Sequence, residues 1–128
     1  MPHCADMKSE NIVKEKSFNF AVRIVNLYKH LRYKQDERVM SVQILRSGTS
    51  IGANICEALR SSSRKDFVAK MNISLKEAYE TEYWIELLYK TDYLSEAEYN
   101  SIFPDCRELT NILSKIILTT KSSKEKEE

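Results

Sequence analysis

Apolar residues return every three or four positions through most of the chain, the signature of helices with one face turned to a core. Val13, Ser17, Phe20, Ala21, Ile24, Tyr28 and Leu31 form the first such stripe and predict a helix over about 10–34. Phe18, Val22 and Val25 run beside it as a second apolar strip, wider than packing against a single neighbour requires. The second helix is predicted over 37–60, with Asp36 as its N-cap, since a carboxylate can accept from an unpaired first-turn amide. Its Leu45, Thr49, Gly52, Cys56 and Leu59 adjoin Met40, Ile44, Ile51 and Ile55 in an apolar arc of about 160°. Such an arc implies burial on two faces.

Ser63-Arg64-Lys65-Asp66 resembles a capping box and opens a third helix over 64–91, with Phe67, Met71, Ser74, Ala78, Ile85 and Tyr89 at helical spacing. Ser95-Glu96-Ala97-Glu98 is a regular capping box, and Tyr99, Ile102, Phe103, Cys106, Thr110, Leu113 and Ile117 continue a fourth helix over 96–120. Pro104 lacks the amide that a helix needs there, so a kink or a restart near Phe103 is expected. Residues 1–9 read as a flexible N-terminus, 10–120 as the folded unit, and 121–128 (KSSKEKEE) as a disordered charged tail with no apolar residue. Four long helices on short connections favour an antiparallel up-down four-helix bundle, because a short link returns each helix beside the one before.

Composition agrees with that architecture. The 128 residues suit one domain, and two glycines and two prolines leave few helix breakers. No apolar run reaches membrane-spanning length and MPHCADMKSE has no apolar signal stretch, so a cytoplasmic protein without membrane association is expected. The net charge of +1 conceals an asymmetry: residues 1–70 carry 13 Lys/Arg against 7 Asp/Glu, and the remainder 7 against 12. Oppositely charged halves suit helices that face one another in a bundle or an oligomer, while a basic surface would also suit phosphates.

Little in the chain points to catalysis. Cys4, Cys56 and Cys106 are widely spaced, with only His3 and His30 as further ligands, so no metal site or cofactor is expected. Cys56 and Cys106 are expected at small core positions and Cys4 in a frayed terminus. Gly48-Thr49-Ser50-Ile51-Gly52 lacks the lysine of a phosphate loop and follows no strand; its glycines instead let another helix approach closely. Gln43, Arg46, Ser50, Asn54 and Glu57 share a stripe about 80° wide. Ile73, Glu77, Glu80 and Trp84 form a comparable strip on the third helix, so Arg46 or Asn54 is placed to meet Glu77 or Glu80 in a buried polar network. Such a network fixes helix register, because a slip would leave charge unpaired. The catalytic alternative, Glu57 acting with Glu77 or Glu80 as paired carboxylates, has no nearby histidine or activated nucleophile to support it. No small-molecule substrate is expected. The candidate contacts to RNA or DNA are Lys16, Arg23, Arg60, Arg64 and Lys65.

The runs Ser50-Ile51-x-x-Asn54-Ile55-Cys56-Glu57, Ser63-x-Lys65-Asp66-Phe67 and Lys76-Glu77-Ala78-x-Glu80-Thr81-x-Tyr83-Trp84, with Leu45 upstream, carry a likeness. In order and spacing they resemble the bacterial four-helix-bundle family encoded in 23S rRNA intervening sequences, over about residues 12–118. The resemblance implies an antiparallel bundle that assembles as a homopentameric ring. It also implies kinship with the accessory variability protein of diversity-generating retroelements, a basic pentamer that works with a reverse transcriptase and binds nucleic acid. For most members the biochemical role is unknown. Cys56 and Ala58 stand where many relatives have Ala and Gly, and Lys76-Glu77 where they have Gly-Ser; Pro104 is also unusual. The expected protein is therefore a non-enzymatic homo-oligomer in an RNA or ribonucleoprotein context. The alternative is a nucleic-acid-binding accessory protein acting through a basic surface.

Overall fold

The computed structural model describes residues 7–127, with side chains from 7 to 122. Four helices follow one another: α1 (Met7–Tyr33), α2 (Met40–Leu59), α3 (Arg64–Lys90) and α4 (Glu96–Glu127). Each packs on its chain neighbour, and α1 closes the ring against α4, with no close backbone approach across either diagonal among the described residues. The pairings run in opposite directions. Gly48 meets Ile24 and Gly52 meets Ser17, Thr81 lies at Ser47 and Ser74 at Ile51, and Arg23 reaches Asp105 while Lys16 reaches Glu108. The molecule is an antiparallel up-down bundle.

The predicted stripes supply most of its core, with Leu109 in addition. Val13, Phe20, Ile24 and Leu31 of α1 are buried with Ile44, Ile51 and Ile55 of α2, Phe67, Met71 and Ile85 of α3, and Cys106, Leu109 and Leu113 of α4. Three buried hydroxyls cross the α2–α3 seam: Ser74 Oγ donates to the Ile51 carbonyl at 2.8 Å, and the Thr81 and Ser47 hydroxyls lie 2.9 Å apart. Each replaces a methyl-sized group without leaving a polar atom stranded, so they fix register at little cost.

Helix ends depart from expectation in three places. Asp36 does not cap α2: it adopts a left-handed backbone, φ 53°, and its carboxylate is held by Arg38 at 2.8 Å and Arg32 at 3.7 Å. Glu37 takes over, its buried carboxylate accepting from the amides of Val39 (2.9 Å), Met40 (2.8 Å) and Ser41 (2.9 Å), and α2 starts at Met40 rather than 37. α4 passes unbroken through Pro104, with no restart near Phe103; both Pro104 and Asn100, whose carbonyl loses its amide, are exposed to water. Its backbone is helical to Glu127, where an irregular tail was expected from 121. Residues 1–6, which include Cys4 and His3, lie outside the described residues. The Ser95 and Glu98 capping box forms reciprocally, at 2.8 and 3.1 Å, and Ser63 Oγ accepts from the Asp66 amide at 3.1 Å.

The glycines of α2 mark where α1 comes closest. A Cβ on Gly48 would lie 2.7 and 2.8 Å from Cγ1 and Cγ2 of Ile24, while one on Gly52 would meet Ser17 Oγ at 3.2 Å. Gly48→Ala should therefore destabilise the bundle by about 1–2 kcal/mol, overpacking outweighing the gain in helix propensity. Gly52→Ala should cost less, because a serine hydroxyl can turn aside. Urea denaturation of both variants checks that order.

Burial pushes the Glu37 carboxyl up, but the amides of Met40, Val39 and Ser41 together outweigh it and hold its pKa below the ordinary 4.5. A carboxylate depressed in the folded state stabilises it above the unfolded value and ceases to do so as pH falls through the folded one. Glu37→Gln should thus lose about 1 kcal/mol at neutral pH. That deficit should shrink as stability curves are followed down below pH 4.5.

Candidate functional site

Arg46 is the hub of the polar group on the α2–α3 seam. Its guanidinium bonds Glu77 at 3.2 Å and also bonds Glu80, and the Gln43 amide oxygen lies at 3.5 Å. Trp84 Nε1 donates to the same Glu80 carboxylate at 2.9 Å, and the Trp84 ring meets Tyr83 edge-on at 5.1 Å. The remaining two predicted members are elsewhere. Asn54 donates within α2 to the Ser50 carbonyl at 2.9 Å, and Glu57 pairs with Lys70 at 3.4 Å. They sit about 12 and 16 Å further along the helix axis from Arg46, at a rise of about 1.5 Å per residue. Nor is the group buried, since the Arg46 side chain is 49% exposed. An ion pair so wet contributes a few tenths of a kcal/mol up to about 1. Register belongs instead to Ser47, Ser74 and Thr81. Glu57 pairs with Lys70 and with neither Glu77 nor Glu80, so the carboxylate pair of the catalytic alternative is not assembled.

The five candidate phosphate contacts divide likewise. Lys16 and Arg23 face α4, where Lys16 pairs with Glu108 at 3.1 Å and Arg23 binds Asp105 at 2.5 Å and the Ser101 hydroxyl at 2.8 Å. They knit the α1–α4 seam with their side chains 44% and 39% exposed. Arg60 and Lys65 are exposed at the α2–α3 turn. There Arg64, Lys65 and Lys121 edge a hollow of about 150 Å³ with Val68 and Thr120. No group of three His, Cys, Asp or Glu side chains with metal-binding geometry occurs among the described residues, and no described helix is long and apolar enough to cross a membrane.

Two features escaped prediction. Glu82, 8% exposed, pairs with Arg107 at 3.0 Å across α3 and α4, and its Oε2 has no hydrogen-bond partner among the described residues. Around it Tyr89 stacks on Tyr99 at 4.4 Å, Tyr99 on Phe103 at 5.1 Å, and Arg107 lies 5.3 Å over Phe103. Burial raises the pKa of the Tyr99 phenol, and it drives the Cys106 thiol far up, making Cys106 an inert core group. Only the helical offset of Glu82 from Phe67, Met71 and Ala78 could have disclosed its burial. The second is Cys56. It is exposed, not packed in the core, because it lies on the outer side of α2 with Ala53.

That outer side carries an apolar surface. Phe18 is 67% exposed and Val22 47%, and Phe18 and Ala21 of α1 line a groove of about 530 Å³ with Thr49, Gly52, Ala53 and Cys56 of α2. It is the predicted second strip of α1, left without a partner inside the protomer.

A family model described as 23S rRNA-intervening sequence protein matches residues 9–115. The chain belongs to that family. A solved structure from Bacteroides thetaiotaomicron VPI-5482, described as a protein of unknown function from the S23 ribosomal protein family, is similar over most of the chain. It shares 60% identity over 85% of this chain and 97% of its own, with a TM-score of 0.84. No curated protein matches. The match to the 23S rRNA-intervening sequence proteins takes in the apolar groove and both polar groups, on α2–α3 and on α3–α4.

The Glu82 pair sets a testable asymmetry. Arg107→Ala leaves a buried carboxylate unpaired and should lower stability by about 1–3 kcal/mol. Glu82→Met, which removes the charge and keeps the volume, should stay within about 1 kcal/mol of the parent. Thermal unfolding of the two variants side by side measures the difference.

Proposed function

We propose that this 23S rRNA-intervening sequence protein is a non-enzymatic assembly subunit whose working form is a homo-oligomer, the homopentameric ring that the family resemblance implies. One observation carries the reading: the Phe18–Val22 face and its groove put large apolar side chains in water on a bundle whose core is already complete. Contiguous exposed apolar surface on a folded chain marks an interaction site. Burying one phenylalanine side chain is worth about 1.5–3 kcal/mol, which an isolated protomer forgoes. The carboxylates that a catalytic reading needs, Glu57, Glu77 and Glu80, are spent on Lys70 and Arg46. The family's link with 23S rRNA intervening sequences supports a cytoplasmic setting among RNA or ribonucleoprotein.

A second reading, a nucleic-acid-binding accessory protein, is favoured by one feature, the gathering of Arg64, Lys65 and Lys121 beside Arg60 at one end of the bundle. With Lys16 and Arg23 engaged by α4, that end is where phosphates would be met.

Light scattering on the purified chain should give about five times the subunit mass of 15.0 kDa. A mass of one subunit at micromolar concentrations overturns the assembly reading. The same sample, titrated with labelled RNA and DNA across a salt series, tests the second: binding should weaken steeply with salt, and no shift at low salt sinks it.

A further inference from the structure

We infer that Arg23 is a clasp across the proline break in α4: from α1 it holds the start of that helix in line with the rest, and with it one wall of a hollow between the two helices.

Pro104 leaves a gap in the α4 ladder. It has no amide to give the Asn100 carbonyl, and its ring crowds that carbonyl, so a helix tends to bend or part at such a place. α4 does neither and stays helical from Glu96 to Glu127. On the inner side of this turn Ile102 and Cys106 are held by the core, but Pro104, Asn100 and Ser101 are exposed. The outer side depends on a bond from elsewhere.

Arg23 supplies it. One guanidinium nitrogen donates to the Ser101 carbonyl at 3.1 Å and to Asp105 Oδ2 at 2.5 Å, and the other donates to the Ser101 hydroxyl at 2.8 Å. Ser101 precedes the proline and Asp105 follows it, so one planar group spans the missing bond. Its donors lie in a rigid fork, and the two residues cannot part without losing one of them. Lys16, on the same seam, pairs with Glu108 beyond the proline and spans nothing.

The start of α4 has little else behind it. Ala97, Ser101 and Ile102 wall a hollow of about 480 Å³ that faces Asn26 and Leu27 of α1, so side chains do not fill the seam there. The clasp is also wet, with the Arg23 and Asp105 side chains 39% and 49% exposed. Water can take over its bonds, which lets this turn open and widen the hollow without unfolding the bundle.

Native-state hydrogen exchange on the full chain tests the clasp, with circular dichroism to confirm that each variant folds. Arg23→Ala should speed exchange of the Ser101, Ile102, Phe103 and Asp105 amides about tenfold, while core amides of α2 and α3 keep the parent rates. In a Pro104→Ala background, where the helix regains its own bond, the same change should alter those rates by no more than about twofold. Lys16→Ala should leave them as in the parent. Unchanged rates in Arg23→Ala, an equal acceleration with and without Pro104, or an equal effect of Lys16→Ala each overturn the inference, the last two because they describe a seam that merely loosens.

Discussion

The approach of α1 to α2 at Gly48 governs the rest of the bundle. With the Ile24 side chain seated where a Cβ would be, and Ser17 against Gly52, two helices lie closer than ordinary side chains allow. Each glycine costs about 1 kcal/mol of helix propensity, and the contact offsets it by burying Ile24 completely. Closeness on the inner side has a geometric consequence on the outer one. Ser17 and Ile24 turn to α2, so Phe18 and Val22, one and two residues round the helix, are rotated outward beyond its reach. The exposed face and the tight seam are therefore two results of a single packing choice.

Polar groups sort by depth in a way that energetics explains. Deep in the α2–α3 seam only small hydroxyls occur, each with a partner, because an unmade hydrogen bond there costs about 1–3 kcal/mol. Charges are kept where water can share them, as Arg46 is with Glu77 and Glu80. Buried Glu37 is matched by three amides, but Glu82 breaks this pattern. It is buried under an aromatic stack with half its carboxylate unmatched, and Arg107, half exposed, is the bond that makes its position tolerable.

Much of this was legible in the sequence. Helical periodicity identified the stripes of all four helices, the capping boxes at Ser63 and Ser95, and the small-residue spacing of Gly48 and Gly52, because these depend on neighbours three or four residues away. What failed depends on finer or longer-range facts. Asp36 is the better cap on paper, but a left-handed backbone there hands the role to Glu37. Asn54 and Glu57 share a wheel position with Arg46, but a wheel discards the axial coordinate that separates them. Cys56 lies in the apolar arc of α2 yet faces outward, since that arc is wider than the protomer fills.

That last error bears on how the chain works. Phe18 is exposed in the folded protomer and also in the unfolded chain, so it contributes almost nothing to choosing the fold. Its apolar area is removed from water only by a further association, at about 25 cal/mol per Å². Arg46 and Glu80 are in a similar position: as a surface ion pair they scarcely stabilise the bundle, yet through Trp84, which packs on the core, they orient Tyr83. A residue that is costly to expose and idle in the monomer is what the proposed assembly would use.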